Sequence, residues 1–199
     1  PRVEVQVVEI VRATIIGPNQ ALRLRSKKDF GTRRTAEEWI VRTPGAFLPD
    51  VSEEIVATLN AVILTDKKAL HLRASRTFKD YYGKTRKAGE EWLVTKELAE
   101  KHIPDVNEIV VGEVKITSLN AHQYCVVLDP INPDTGKPAL GMRQLRKGET
   151  SFFLLPGERL ENGIQAVHVL GAQEALLLRA REVFKDGEET RQPGDRWMI

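Results

Sequence analysis

The chain repeats itself at an interval of about 53 residues, and a period of that length commits a sequence to a row of small similar modules rather than one large core. "ALRLRSKKDF" from Ala21, "ALHLRASRTFKD" from Ala69 and "ALLLRAREVFKD" from Ala175 are variants of one phrase, the last two standing two periods apart. A second phrase follows each: "TAEEWIV" around Trp39, "AGEEWLV" around Trp92 and "PGDRWMI" around Trp197. The remaining copy is divergent, with "YCVVL" from Tyr124 in place of the first phrase and "KGETSFFLL" from Lys147 in place of the second. A proline opens each copy: Pro1, Pro49 and Pro104 lie 20 residues before Ala21, Ala69 and Tyr124, and Pro156 lies 19 before Ala175. The frame predicts units at 1–48, 49–103, 104–155 and 156–199, the third carrying a loop insertion. The fourth lacks the segment that follows tryptophan in the others, as expected of a piece of a longer array.

Inside a unit, apolar alternation, a turn, more apolar alternation, a charged glycine-bearing loop and a short aromatic strand follow one another. In unit two "NAVIL" and "ALHLRA" flank Thr65-Asp66-Lys67-Lys68, and in unit one Gly17-Pro18-Asn19-Gln20 fills the same place. The spacing predicts a hairpin closed by a four-residue turn. "ALLLRAREVFK" would tolerate a helix, but its counterpart "YCVVL" is β-branched and argues for strand. The expected fold is therefore all-β, a linear tandem array of small antiparallel sheet modules. The expected core holds Trp39, Trp92 and Trp197, with Phe152 or Phe153 standing in for the third unit. Leu70, Leu72 and Leu176 join it, together with the equivalent Leu22, Leu24 and Leu178. About fifty residues bury too little surface for comfortable stability alone, so neighbouring units must share their cores and the chain should be extended.

Aromatic residues make up only 6% of the 199, too few for one large core, and a formal charge of +2 leaves no strong field to recruit nucleic acid or an anionic membrane. The single cysteine, Cys125, sits in an apolar run, so no disulfide forms within the chain and a reducing, cytoplasmic setting is expected. No apolar run reaches the ~18 residues that span a bilayer, and "PRVEVQVVEIVR" alternates charge with valine, unlike a signal peptide. Neither a membrane nor a nucleic-acid partner is expected.

No catalytic constellation is legible. His71, His102, His122 and His168 lie on different units or without a companion at ligand spacing, so no metal site and no cofactor are expected. The insertion "DPINPDTGKPALG" is rich in oxygen ligands, yet counting from Asp129 puts Ile131 at position three and Leu140 at position twelve, where a calcium loop needs oxygen donors. GxSxG, HExxH, paired CxxC and phosphate-loop motifs are absent, so an enzyme is not expected. What remains is charge. Basic residues precede each aromatic strand: Arg33 and Arg34, then Lys84, Arg86 and Lys87, then Arg143, Arg146 and Lys147. Glutamates within a few residues cancel most of the field that RNA would need. Lateral contact with a neighbouring copy is the expected role, because side-by-side assembly needs complementary edges.

The phrases "AVILTDKKALHLRA", "GEEWLV", "YCVVLDP", "KGETSFFLLPGERLENGIQ" and "VLGAQEALLLRA" resemble, in order and over the whole chain, the N-terminal repeats of the major vault protein family. Unit one departs from the family pattern by a shortened loop, "KKDFGTRRTAEEW". The resemblance implies a segment of the wall of the hollow vault ribonucleoprotein, in which identical copies stand side by side. It also implies a partner, the vault poly(ADP-ribose) polymerase. The competing reading is an adaptor array that binds proteins without building a shell.

Overall fold

The computed structural model describes residues 3–133 and 135–199. Pro1, which opens the first unit, and Asp134, an oxygen-bearing residue of the insertion, lie outside the described residues. Among those described there is no helix, and the strands pair antiparallel in many small sheets set in tandem. The expected all-β repeat array is the observed fold.

The first copy contributes β1 (Thr14–Ile16), β2 (Gln20–Ser26), β3 (Glu38–Val41) and β4 (Gly45–Phe47), and the chain runs on into β5 (Glu53–Asn60). The second adds β6 (Val62–Ile63), β7 (Lys68–Ala74), β8 (Phe78–Lys79), β9 (Thr85–Arg86), β10 (Glu91–Val94) and β11 (Lys101–His102), then β12 (Glu108–Lys115). The third has β13 (Thr117–Leu119), β14 (Gln123–Leu128), β15 (Arg143–Lys147) and β16 (Thr150–Phe152), and beyond Pro156 the chain runs on into β17 (Arg159–Leu160) and β18 (Gln165–Ala166). The fourth has β19 (Leu177–Arg179), β20 (Phe184–Asp186), β21 (Glu189–Arg191) and β22 (Arg196–Met198). "ALLLR" is thus strand, as its β-branched counterpart implied.

One pattern recurs. The first-phrase strand is central and a second strand lies on one side of it, the aromatic strand in units one, two and four and the non-aromatic β15 in unit three, while in units one to three the other side is taken by a strand from beyond the next proline. β2 lies between β3 and β5, β7 between β10 and β12, and β14 between β15 and the pair β17 and β18. The expected boundaries at Pro49, Pro104 and Pro156 fall between each hairpin and the strand that completes it. Each unit therefore lends its first strand to the sheet of the unit before, which is how cores too small to stand alone are coupled. The lent strands share an irregularity. In β5 the register skips Val56 between Ala57 and Ile55, and in β12 it skips Val111 between Val110 and Gly112, a bulge at the same repeat position.

The hairpin expected across Thr65-Asp66-Lys67-Lys68 does not form. The turn is present, closed by Thr65 N–H to Lys68 O at 3.2 Å and Lys68 N–H to Thr65 O at 3.1 Å, but "NAVIL" then leaves β7. β6 pairs with β11, and in unit one β1 pairs with β4. The reason is competition for edges: a strand has two, and those of β7 are taken by β10 and the longer β12.

Alternation puts Leu22 and Leu24, and Leu70 and Leu72, on the inward face, all at most 1% exposed, while Arg23 and Arg25 point outward to Glu38. Around them gather Ile16, with Trp39 and Phe47 at the margin, in the first core, and Leu64, Ala74, Trp92 and Val94 in the second. Leu119, Cys125 and Val127 form the third, flanked by Phe152. A buried leucine contributes about 1.5–3 kcal/mol, so cores of this size hold a unit only when the lent strand seals them. In unit four Leu176 and Trp197 are only half-buried, against the core role expected of them, because no third strand covers β19 among the described residues.

Candidate assembly surface

The eight basic residues singled out by the sequence separate into two groups. Arg33, Arg86 and Arg146 turn inward onto an aromatic ring of their own unit. The guanidinium carbon of Arg33 is 4.6 Å from the Trp39 ring centre, that of Arg86 is 4.3 Å from Trp92, and that of Arg146 is 4.2 Å from Phe152. Arg191, which no sequence argument picked out, does the same to Trp197 at 4.8 Å. In all four cases the arginine precedes the aromatic residue by six positions, a spacing that could have revealed the stack. In units one, two and four the loop and the aromatic strand return antiparallel beside the central strand, which brings the loop's end above the indole face; in unit three Arg146 lies on β15, beside β14, and reaches Phe152 on β16, which pairs with β13.

Arg86 is the most enclosed of the eight. It is 6% exposed, its Nε donates to Asp80 Oδ2 at 2.8 Å and its Nη1 to Glu90 Oε1 at 2.9 Å, and the Asp80 side chain is wholly buried. Asp80 in turn accepts from the backbone N–H groups of Tyr82 and Lys84 at 3.0 and 2.8 Å. Arg86 is therefore a strut within unit two and is not offered to a neighbour, which corrects the lateral role expected of it. Arg33 and Arg146 are partly exposed; Arg33 pairs with Glu37, and Arg146 approaches the buried Glu158 at 3.7 Å.

Arg34, Lys84, Lys87, Arg143 and Lys147 are exposed. Arg143 meets Glu161 at 3.0 Å within the chain. The backbone N–H groups of Arg34 and Lys87 donate to Glu37 and Glu90 at 3.0 and 2.9 Å, which fixes the turns while their side chains point to solvent. The Arg34 hydrogen bond, with the adjoining Arg33, holds the Glu37 carboxyl below its ordinary value; at Glu90 burial opposes, and the Lys87 hydrogen bond together with Arg86 outweighs it.

A sequence profile described as the Major Vault Protein repeat domain matches residues 14–50, 62–105 and 168–199, and a second profile of the same description matches 116–164. The chain belongs to the major vault protein repeat family. Over its whole length it is 58% identical to major vault protein of Strongylocentrotus purpuratus, 59% to major vault protein alpha of Dictyostelium discoideum and 55% to major vault protein of Homo sapiens. It spans about a quarter of the length of these curated relatives, 24%, 24% and 23% respectively.

Within this vault repeat array a second polar cluster joins units one and two, and the sequence did not announce it. Arg42 of unit one reaches Asp105 Oδ2 at 2.9 Å and lies 5.0 Å over the Tyr81 ring, while Lys101 Nζ donates to Pro18 O at 3.0 Å and Asn19 Oδ1 at 2.8 Å. Beneath them Tyr82 Oη contacts His102 Nδ1 at 2.9 Å, and His102 Nε2 contacts Glu108 Oε2 at 2.7 Å, with His102 and Glu108 both buried. Burial, aided by the charges of Glu108 and Asp80, pushes the Tyr82 phenol up to about 12. His102 thus serves the joint, and no cluster of three or more metal-ligating side chains occurs among the described residues. Between β10 and the unit-three insertion lies an open cleft of about 690 Å³, walled by Lys84, Trp92 and Leu93 on one side and Ile131, Pro138 and Leu155 on the other.

Proposed function

We propose that this chain is a structural repeat segment of a vault wall, packed side by side with identical copies in the cytoplasm, and that its role is assembly rather than catalysis. The observation that carries the reading is the lending of strands: β5, β12 and the pair β17 and β18 each seal the preceding unit's sheet, so the units form a continuous stave instead of beads on a string. Membership of the vault repeat family supports it. Arg34, Lys84, Lys87, Arg143 and Lys147 are the residues proposed to meet acidic groups on the neighbouring copy. Each exposed pair is worth only about 0–1 kcal/mol, so register comes from repetition around the wall. Particle imaging of the full-length protein tests this: hollow barrels are expected, and discrete monomers would overturn it.

A second reading, an adaptor array, draws support from the cleft beside β10, whose outer edge no strand occupies among the described residues. The partner proposed for such a surface is the vault poly(ADP-ribose) polymerase. Pull-down of that protein by this chain, lost on filling the cleft with Gly136→Trp, would favour the adaptor role.

A further inference from the structure

The joint between units one and two and the joint between units two and three follow one plan but are braced differently. At each, a lent strand runs into the next unit through a single residue. Ala61, between β5 and β6, donates its N–H to Asn19 O at 2.8 Å, and Ile116, between β12 and β13, donates its N–H to Lys67 O at 3.0 Å. Between units one and two, side chains reinforce that connection. Arg42 donates to Asp105 Oδ2 at 2.9 Å and to Ile103 O at 3.4 Å and lies over Tyr81, while Lys101 donates to Pro18 O and Asn19 Oδ1. The space left beside Arg42 and Lys101 is about 210 Å³. The period carries each brace to a counterpart at the next joint. Thr95 stands three residues after Trp92, as Arg42 stands three after Trp39; Phe153 stands three before Pro156, as Lys101 stands three before Pro104; and Gly157 follows Pro156, as Asp105 follows Pro104. A threonine does not reach as far as an arginine, a phenylalanine carries no charge and a glycine carries no carboxylate, so none of these bridges can form there. The corresponding space is the cleft of about 690 Å³, with Leu93 and Thr95 on the unit-two wall and Leu155 and Gly157 on the unit-three wall. A second cavity, about 320 Å³, lies between Thr95 and Phe153 and reaches Ile116 itself.

We infer that the joint between units two and three is a hinge: unit three swings about Ile116 to open and close the cleft, while units one and two move as a single body. Relative motion is the default for units joined by a small interface, and cross-braces suppress it. Two opposed terms act on the cleft. Leu155 is 40% exposed, and Leu93 and Ile131 on the facing walls are half-buried, so closure removes apolar surface from water. Against it stands the outer edge of β10. Ala74 N–H bonds Glu90 O, so the alternation of the ladder turns the backbone groups of Trp92 and Val94 towards β7 and those of Leu93 into the cleft. A shut cleft would take those groups from water without giving them a partner. Neither state is held by a bridge of the kind Arg42 makes, so the stave bends at this level while its cores stay intact. The inference is independent of both readings of function, since it needs no neighbouring copy and no bound partner.

Distances between paired spin labels, measured by pulsed electron resonance on labelled chain diluted with unlabelled chain, test it. Lys27→Cys with Lys79→Cys spans the joint between units one and two, and Lys79→Cys with Lys147→Cys spans that between units two and three. All three lysines are exposed, and the buried Cys125 stays unlabelled. The first pair should give one narrow distance peak and the second a broad or two-peaked distribution. Arg42→Thr/Asp105→Gly gives the first joint the residues of the second, and the narrow peak should then be lost. Thermal unfolding checks that this variant keeps its fold; if it does not, Lys101→Phe, a change at an exposed position, should broaden the same peak. Equal widths across the two joints would overturn the inference, as would a first peak that stays narrow in the folded variants.

Discussion

Arg86 holds its guanidinium carbon 4.3 Å from the centre of the Trp92 ring while its Nε donates to a fully buried Asp80 at 2.8 Å. One side chain thus covers the aromatic core and pairs with the buried Asp80 carboxylate. The four stacked arginines make this a device of the repeat, and its strength should scale with enclosure: Arg86 is 6% exposed, whereas the Arg33 side chain is 38% exposed.

Replacing Arg86 by alanine strands Asp80 without its ion-pair partner, which costs about 3–5 kcal/mol for a buried pair. Arg86→Lys should rescue little, because an ammonium cannot both stack on the indole and reach two carboxylates. Arg33→Ala should cost no more than about 1 kcal/mol, since that pair is solvated. Urea unfolding followed by tryptophan fluorescence compares the three, and equal losses at Arg33 and Arg86 would refute the ranking.

Core truncation should follow burial. Leu72→Ala and Trp92→Ala remove fully packed groups and should cost about 2–5 and 3–5 kcal/mol. Leu178→Ala, at the same repeat position as Leu72 but half-buried, should cost less than half as much. Denaturant midpoints of the single variants decide it, and equal costs at the two leucines would break the link between burial and cost.

Acid should loosen unit one through Glu38. The Arg25 hydrogen bond, helped by Arg23 and opposed by burial, holds that carboxyl below its ordinary value. A carboxylate depressed in the folded state stabilises above its unfolded value, about 4.3, and the gain is lost as pH falls through the folded value. Stability of the chain should therefore decline below about pH 4, and Glu38→Gln should flatten that decline while lowering stability at neutral pH. A pH profile unchanged by the substitution would exclude Glu38 as its source.

The array should be longer than a ball of its mass. A compact chain of 199 residues has a radius of gyration of roughly 16–17 Å. Small-angle scattering of the chain at low concentration should exceed that clearly, and a compact profile would overturn the linear arrangement.

The period, the strand character of the first phrase and the inward set Leu22, Leu24, Leu70, Leu72 and Trp92 were all legible in the sequence. They are local: alternation and recurrence specify which face of a strand is apolar without reference to any partner. The misreadings share one cause. The turn at Thr65-Asp66-Lys67-Lys68 is real, yet it predicted a hairpin that the structure replaces with β6 on β11, because local turn chemistry does not say which strands win the two edges of β7. Arg86 looked like surface charge because its neighbours in sequence, Lys84 and Lys87, are surface charge. Its burial comes from Asp80 and Trp92, six residues away on either side.

The amino-acid sequence by itself determined that this protein is a row of four related β modules of the vault repeat family, because recurrence needs no knowledge of space. Only the tertiary structure decided where one module ends and the next begins to share its sheet, which arginines close a core, and which strands pair with the central one. Those outcomes depend on competition among distant strands for a limited number of backbone partners and on the burial that follows, and neither quantity is carried by any single stretch of residues.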